Sequence, residues 1–257
     1  MKTAIIGAGN MGGSIARGLA KGTIIPANDI IVSNPTQSKL DVLKAEFPAL
    51  QTTRDNQEAV TGAELIILAV KPWLMKSVVS ELKLKSKQIL ISVAAGIPFE
   101  ELAHYVADKE MTMFRLIPNT AISEMESMTL ISSRNASKEQ EQLLLDIFNQ
   151  MGLAMLIPEE KIAAATAMTS CGIAYVLKYI QAAMQVGIEM GIYPKDGMRM
   201  IAQSVKGAAE LILNNDTHPS VEIDKVCTPG GITIKGINEL EHRGFSSAII
   251  NAIKASK

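Results

Sequence analysis

Short apolar runs, separated by segments long enough for helices, fill the first 158 residues of the chain. The clearest run, residues 65–70, is apolar at every position, which is typical of a parallel strand covered on both faces. Further strands are predicted at residues 4–6, 30–32, 88–93, 111–117, 128–132 and 152–157. This alternation of strands and helices predicts an α/β fold with a mostly parallel sheet.

The pattern changes after Pro158. Residues 159–256 show almost no strand-like alternation, and long helices are predicted at 174–190 and from Pro194 towards Asn214. Gly191 directly follows the first of them, as a helix-terminating glycine does. We therefore expect an α/β domain over residues 1–158 and an all-helical domain over residues 159–257. The many apolar positions on the helices predict that the second domain completes its core in a dimer.

The first predicted strand runs directly into a glycine-rich turn. Residues 7–12 read Gly-Ala-Gly-Asn-Met-Gly, and a helical segment over residues 14–21 follows. In this order, backbone N–H groups and the positive end of the helix dipole face a dinucleotide pyrophosphate, as in a Rossmann-type domain. A plain strand-to-helix turn is the alternative. The predicted cofactor-binding residues here are Gly7 for the tight turn, Gly9 for close approach of the phosphates, Asn10, Met11, and Gly12 for close packing of the helix.

The end of the second predicted strand bears on the choice between NAD and NADP. An NAD site usually has an acidic residue there, which accepts a hydrogen bond from the ribose 2′-hydroxyl. This chain instead has Ser33, Asn34 and Thr36, with Lys39 a little further on. These donors suit a 2′-phosphate and predict NADP, although the same residues are also common in ordinary turns.

Other strand ends are expected at the same edge of the sheet, where doubly wound folds bind their ligands. The residues that we assign to the cofactor there are Val70, Lys71, Pro72, Ala95 and Asn119.

Composition narrows the possible functions. A formal net charge of −1 and a pI of about 6.3 provide no electrostatic case for binding nucleic acid or an anionic membrane. Cys171 and Cys227 form no disulfide framework, and His104, His218 and His242 lack metal-ligand spacing, so no metal site is predicted. The chain start shows no signal-peptide pattern, and its apolar runs are too short to span a bilayer, so we expect a cytoplasmic protein.

A second glycine motif lies in the helical half. Residues 228–233 read Thr-Pro-Gly-Gly-Ile-Thr and lead into an apolar helix, which predicts a nest of backbone amides at a helix N-terminus. Such a nest suits a small anion, for example a substrate carboxylate, and Thr233 can direct its hydroxyl at the same pocket. The alternative is a tight turn between helices with Thr228 as the cap.

With these motifs the chain resembles the pyrroline-5-carboxylate reductases over essentially its whole length. The resemblance rests on the glycine turn at 7–12, Val-Lys-Pro at 70–72, Ala-Gly at 95–96, Arg115 with Pro-Asn-Thr at 118–120, Thr-Ala at 166–167, Gly172 with Ala-Tyr at 174–175, Asp224 with Thr-Pro-Gly-Gly-x-Thr at 228–233, and Leu-Glu at 240–241. It implies hydride transfer from NADPH to the C=N carbon of a five-membered imine, which yields proline. It also implies homodimers that assemble into larger rings.

The resemblance gives the second motif a specific role. Thr233 becomes the candidate hydrogen-bond donor to the imine nitrogen. The substrate carboxylate would then bind the amides of Gly230, Gly231 and Ile232, with Thr228 assisting.

The chain also departs from the family pattern. Residues 121–127 replace a segment that usually contains proline and glycine, and Ile173 stands where a helix-opening proline is usual. These departures keep open an NADP-binding sensor that catalyses no reaction. Another nicotinamide reductase, such as a hydroxyacid dehydrogenase or a ketopantoate reductase, is the remaining alternative.

Overall fold

In the computed structural model, which describes residues 1–257, the strands form one eight-stranded sheet. The order across the sheet is β3-β2-β1-β4-β5-β6-β7-β8. The strands are β1 (Thr3–Ile6), β2 (Ile30–Ser33), β3 (Gln51–Thr53), β4 (Leu65–Leu68), β5 (Ile89–Ser92), β6 (Met113–Ile117), β7 (Ser127–Arg134) and β8 (Gly152–Leu156). All neighbouring pairs are parallel except β6 and β7. The predicted α/β fold with a mostly parallel sheet is confirmed.

Helices cover both faces of the sheet because successive side chains of a strand point to opposite faces. On β1, Ile5 belongs to one buried apolar cluster, whereas Ala4 and Ile6 belong to another. The helices of this part of the chain are α1 (Asn10–Lys21), α2 (Gln37–Glu46), α3 (Asn56–Val60), α4 (Met75–Glu81), α5 (Phe99–Tyr105), α6 (Lys138–Asn149) and α7 (Ile162–Thr169). Burial on both faces explains why β4 and β5 are almost wholly apolar.

The structure adds details that the pattern did not predict. The short polar strand β3 forms one edge of the sheet, where burial is partial and an apolar run is not required. At the other edge, the side chain of Asn149 accepts a hydrogen bond from the Ala154 N–H of β8 at 2.8 Å, so this edge amide is already satisfied. Helix α1 begins at Asn10, four residues before the predicted start, and therefore includes Gly12.

The chain divides into two compact units, Met1–Ser170 and Cys171–Lys257. Helix α7 lies in the first unit, where Ile162 packs in a small buried cluster with Ile117 and Leu130. The domain boundary at residue 158 remains a prediction; the two compact units meet at Ser170 and Cys171 along the chain.

The second unit is entirely helical. Its helices are α8 (Gly172–Glu189), α9 (Pro194–Asn215), α10 (Pro219–Val226), α11 (Ile232–His242) and α12 (Phe245–Ala255). Gly191 adopts a φ of +86° after α8, which confirms the predicted glycine terminus. Large apolar side chains remain exposed on this unit, including Met190, Tyr193 and Leu213. No helix of the chain combines the length and the hydropathy that crossing a bilayer requires.

Candidate functional site

The turn between β1 and α1 has a backbone path that requires glycine. Gly7 has a φ of +106°, and a Cβ there would lie 2.6 Å from the Ala69 carbonyl oxygen. A Cβ on Gly12 would lie only 1.9 Å from the Gly7 carbonyl oxygen. The missing side chain of Gly12 therefore allows α1 to pack directly on the turn that precedes it.

Gly9 differs from the other two glycines because it faces open space. A Cβ at this position would have no neighbouring atom within 4 Å. Gly9 is also the N-cap of α1, and no side chain caps this helix end. The N-terminal amides of α1 are thus available to an anion that approaches over Gly9.

A cleft of about 350 Å³ opens at this helix terminus. Gly9, Asn10 and Gly13 line one side, and Ser38 and Lys39 of α2 line the other. Lys39 is exposed and supplies positive charge at the cleft. Asn10 and Met11, both assigned to the cofactor from the sequence, differ in their surroundings: Asn10 lines the cleft, and Met11 is half-buried and packs against the apolar core.

Arg17, one turn further along α1, also lines the cleft and was not predicted from the sequence. It donates from Nε and Nη2 to the two carboxylate oxygens of Glu46, at 2.6 and 2.9 Å. These hydrogen bonds hold the pKa of Glu46 below its ordinary value and raise that of Arg17. The pair ties α1 to the end of α2, so its effect on the cleft is mainly to position the two helices.

The predicted 2′-phosphate residues occupy different environments. Ser33 is fully buried, and its hydroxyl donates to Asn56 Oδ1 at 2.6 Å. Asn34 is also buried and accepts from the Ala8 N–H at 3.0 Å, so its side chain holds the glycine turn. Thr36 is exposed at the N-terminus of α2 and makes no capping hydrogen bond. Of the three, only Thr36 presents a hydroxyl at the surface.

The remaining cofactor candidates follow the carboxyl ends of β4, β5 and β6. Val70, Lys71 and Pro72 follow β4, and the Lys71 ammonium lies 5.9 Å from the ring centre of the exposed Trp73. Ala95 follows β5 and is exposed.

Asn119 follows β6, is buried, and accepts from the Ala121 N–H at 3.0 Å. Its own N–H donates to Ser127 Oγ at 3.1 Å, so this asparagine mainly orders the chain after β6.

The segment that departs from the family pattern packs against α1. Residues Thr120–Glu124 form a 3-10 turn, and Met125 after it adopts a left-handed φ of +64°. A Cβ on Gly18 of α1 would lie 3.0 Å from the Ile122 carbonyl oxygen, which shows how closely the two elements approach. The departure therefore has a packing role in this chain.

The second glycine motif forms the turn before α11. Gly230 adopts a φ of +72°, and Gly231 is the N-cap of the helix. The Gly231 N–H donates to the Thr228 carbonyl oxygen at 2.9 Å and closes the turn, so this amide is not directed at a ligand. No side chain caps α11, which means that Thr228 does not act as the predicted alternative cap.

The residues on either side of this turn differ in exposure. Ile232 is the first residue of α11 and is 85% exposed, whereas Thr233 follows it in the first turn and is half-buried. Thr228 is exposed. The N-terminus of α11 thus presents backbone amides and two threonine hydroxyls close together in sequence, without a capping side chain.

The sheet and the first turn define the class of protein. A parallel sheet in which β1 lies between β2 and β4 changes strand order at β1, which is the place where doubly wound folds bind dinucleotides. The uncapped terminus of α1 and the cleft beside it lie at this point. The first unit is therefore a dinucleotide-binding domain of the doubly wound, Rossmann type.

Comparison with known proteins identifies the family. A family model for NADP oxidoreductases that are coenzyme F420-dependent matches residues 2–96, and a model for pyrroline-5-carboxylate reductase dimerisation matches residues 159–257. Pyrroline-5-carboxylate reductase 2 of Dictyostelium discoideum is 39% identical over 98% of this chain and 90% of its own length. The chain belongs to the pyrroline-5-carboxylate reductase family, as its motifs predicted.

Two further comparisons agree. Pyrroline-5-carboxylate reductase 1 of the same organism is 36% identical over 98% of this chain, which spans 48% of that longer protein. The crystal structure of the Plasmodium falciparum pyrroline carboxylate reductase with NADP bound has a TM-score of 0.89 at 28% identity, covering 100% of this chain and 95% of that one.

Alanine variants of Gly9 and Gly12 should have different effects, one mainly on cofactor binding and the other mainly on stability. We expect Gly12→Ala to lower the free energy of unfolding by about 3 kcal/mol or more, because its Cβ overlaps backbone. Gly9→Ala should cost about 1 kcal/mol or less, but weaken NADPH binding about tenfold, since the methyl group enters the cleft. Urea unfolding and NADPH fluorescence titration measure the two effects. A Gly9→Ala variant that binds NADPH as tightly as the unmodified protein would contradict this assignment.

Proposed function

We propose that this chain reduces 1-pyrroline-5-carboxylate to proline with NADPH. The observation that carries the proposal is the family relationship, which extends through both units and includes the Thr-Pro-Gly-Gly-x-Thr turn. The cleft at the first glycine turn supports it, because a dinucleotide needs a helix N-terminus of this kind for its pyrophosphate.

In this proposal the first unit binds the cofactor and the second unit binds the substrate carboxylate. NADPH, when bound, supplies the hydride, and the protein has to orient the reactants and exclude water. In the first unit, the amides at the start of α1 bind the pyrophosphate over Gly9, and the strand ends after β4 and β5 face the nicotinamide half. In the second unit, the N-terminus of α11 binds the substrate carboxylate.

The geometry of the second turn refines the substrate contacts. The amides of Gly230 and Ile232 and the hydroxyl of Thr228 are the proposed donors to the carboxylate, while Gly231 holds the turn in shape. The imine nitrogen gains a proton, which comes from solvent water, as its carbon accepts the hydride. We assign Thr233 as the residue whose hydroxyl donates a hydrogen bond to that nitrogen.

NADPH is the proposed cofactor because the end of β2 has no carboxylate. A carboxylate there would accept from a ribose 2′-hydroxyl and repel a 2′-phosphate. Instead, the exposed Thr36, the start of α2 and the Lys39 ammonium face this region. The related enzyme of Plasmodium falciparum binds NADP in its crystal structure.

The assembly is a further part of the proposal. The family model matched by residues 159–257 is one for dimerisation, and the exposed apolar side chains of the second unit support a homodimer. A larger ring of dimers and a cytoplasmic location complete the proposed function.

The direct test is the loss of NADPH absorbance with the purified protein and 1-pyrroline-5-carboxylate. We expect turnover that depends on both reactants, and proline as the product by chromatography. NADPH binding without turnover of this imine would contradict the proposal and favour the sensor.

Thr233→Ala should lower kcat about 10²-fold or more while the affinity for NADPH stays within about twofold, because the hydroxyl acts on the imine nitrogen. Thr233→Ser retains the hydroxyl and should recover most of the rate. Steady-state kinetics and NADPH titration measure the two quantities. Equal kcat in the alanine variant and the unmodified protein would exclude the assigned role.

Lys39→Gln should reduce the preference for NADPH over NADH about tenfold, because it removes a positive charge from the proposed 2′-phosphate site. The comparison is made on kcat/KM for the two cofactors. Lys87→Gln is the matched control, since this exposed lysine precedes β5 and therefore lies at the amino ends of the parallel strands, away from the proposed site. An unchanged cofactor ratio for Lys39→Gln would remove Lys39 from the site.

A further inference from the structure

A partly buried ion pair joins β6 to the segment that follows β8, with the Arg115 side chain buried and the Glu159 side chain 35% exposed. Arg115 of β6 is only 6% exposed, and its Nη1 donates to Glu159 Oε1 at 2.7 Å. Glu159 is the one carboxylate that pairs with this guanidinium, and Arg115 Nε is buried without a hydrogen-bond partner. A guanidinium that is buried in this way holds its partner in place strongly, because breaking the pair leaves a buried charge uncompensated.

Glu159 also contacts the start of α5. The same Oε1 atom accepts a hydrogen bond from the Phe99 N–H at 2.8 Å. Phe99 is the first residue of α5, and the N-cap residue Pro98 provides no side-chain acceptor. Glu159 therefore satisfies a helix-terminal amide that lies 60 positions earlier in the sequence.

The segment between β5 and α5 is held at both ends. At its beginning, the Ala94 N–H donates to Ser92 Oγ at 3.3 Å, and at its end Glu159 holds Phe99. Between these anchors, Ala95 and Gly96 are exposed at the carboxyl edge of the sheet. Ile97 and Phe99 are also buried in the apolar cluster on this face, so removal of the second anchor would shift the end of the segment rather than release it.

The place of this segment in the sheet indicates what it faces. The 2′-phosphate end of the cofactor is assigned to the end of β2, on one side of β1. Strands β4 and β5 lie on the other side of β1, so the nicotinamide half extends over their carboxyl ends. The exposed backbone at Ala95 and Gly96 thus lies on the nicotinamide side.

We propose that Glu159 is a positioning residue for hydride transfer, which acts by fixing the start of α5 and, through it, the backbone at Ala95 and Gly96 that supports the nicotinamide ring. The inference rests on the proposed function. Hydride transfer depends steeply on the placement of the ring, and a displacement of about 1 Å can lower the rate about 10²-fold. The adenine end of the cofactor lies on the far side of β1 and is independent of this contact.

The test compares variants of Glu159 with a matched control. Glu159→Ala removes both hydrogen bonds, whereas Glu159→Gln keeps an oxygen acceptor for Phe99 and Arg115 but loses the charge. Glu160→Ala is the control, because Glu160 is the exposed neighbour with the same charge. The assays are kcat with NADPH and the imine, the fluorescence spectrum of bound NADPH, the affinity for NADPH, and the affinity for adenosine 2′,5′-bisphosphate, which has no nicotinamide.

We expect Glu159→Ala to lower kcat about tenfold or more and to change the fluorescence of the bound dihydronicotinamide. For Glu159→Gln, kcat and the NADPH fluorescence should lie between the values of Glu159→Ala and of the unmodified protein. For Glu160→Ala, both should equal those of the unmodified protein. Affinity for the bisphosphate should stay within about twofold in all three variants. If Glu159→Ala does not fold, the same comparison is made with Glu159→Gln.

Two results would overturn the inference. One is a folded Glu159 variant with unchanged kcat and unchanged NADPH fluorescence. The other is an equal loss of NADPH and bisphosphate binding, which would indicate general damage to the unit. If the unmodified protein binds NADPH without reducing the imine, the proposed function fails, but a changed NADPH fluorescence in Glu159→Ala with unchanged bisphosphate affinity would still show that Glu159 positions the nicotinamide ring. If the unmodified protein does not bind NADPH, both proposals fail.

Discussion

The contact between α1 and the turn before it is the constraint on which the first unit depends. The carbonyl oxygen of Gly7 occupies the space where any residue other than glycine at position 12 would place its Cβ. This contact sets the distance from α1 to β1 and directs the uncapped helix terminus at the cleft. Asn34 and Ser33, which are buried beneath, hold the same turn from the end of β2. The proposed binding of the cofactor and the packing of α1 therefore depend on the same backbone atoms.

The two units differ in how far their apolar side chains are buried. The first has buried apolar clusters on both faces of its sheet. The second leaves many large apolar side chains exposed, including Met190 and Leu213, as expected for a unit whose core is completed by association. The match of residues 159–257 to a dimerisation family is consistent with this difference.

The parts of the candidate site that depend on backbone conformation could be predicted from the sequence. Gly7 and Gly12 were recognisable because their conformation and packing tolerate no side chain, and these demands are local. The sequence predicts the direction of side chains less well, since a polar residue at a strand end can point to a ligand or into the protein. Ser33 bonds to Asn56, 23 positions away, and no local pattern reports such a contact. The same holds for Arg115 and Glu159, which are 44 positions apart.

The sequence by itself determined the α/β class, the glycine turn, the helical second half and the family, because strand burial, helix termini and glycine geometry leave short-range patterns. Only the tertiary structure decided which strand ends lie side by side and the reversed direction of β7 and β8. It also decided that Glu159 joins β6 to the start of α5. These features depend on contacts between distant segments, which form only when the chain has folded around a common core.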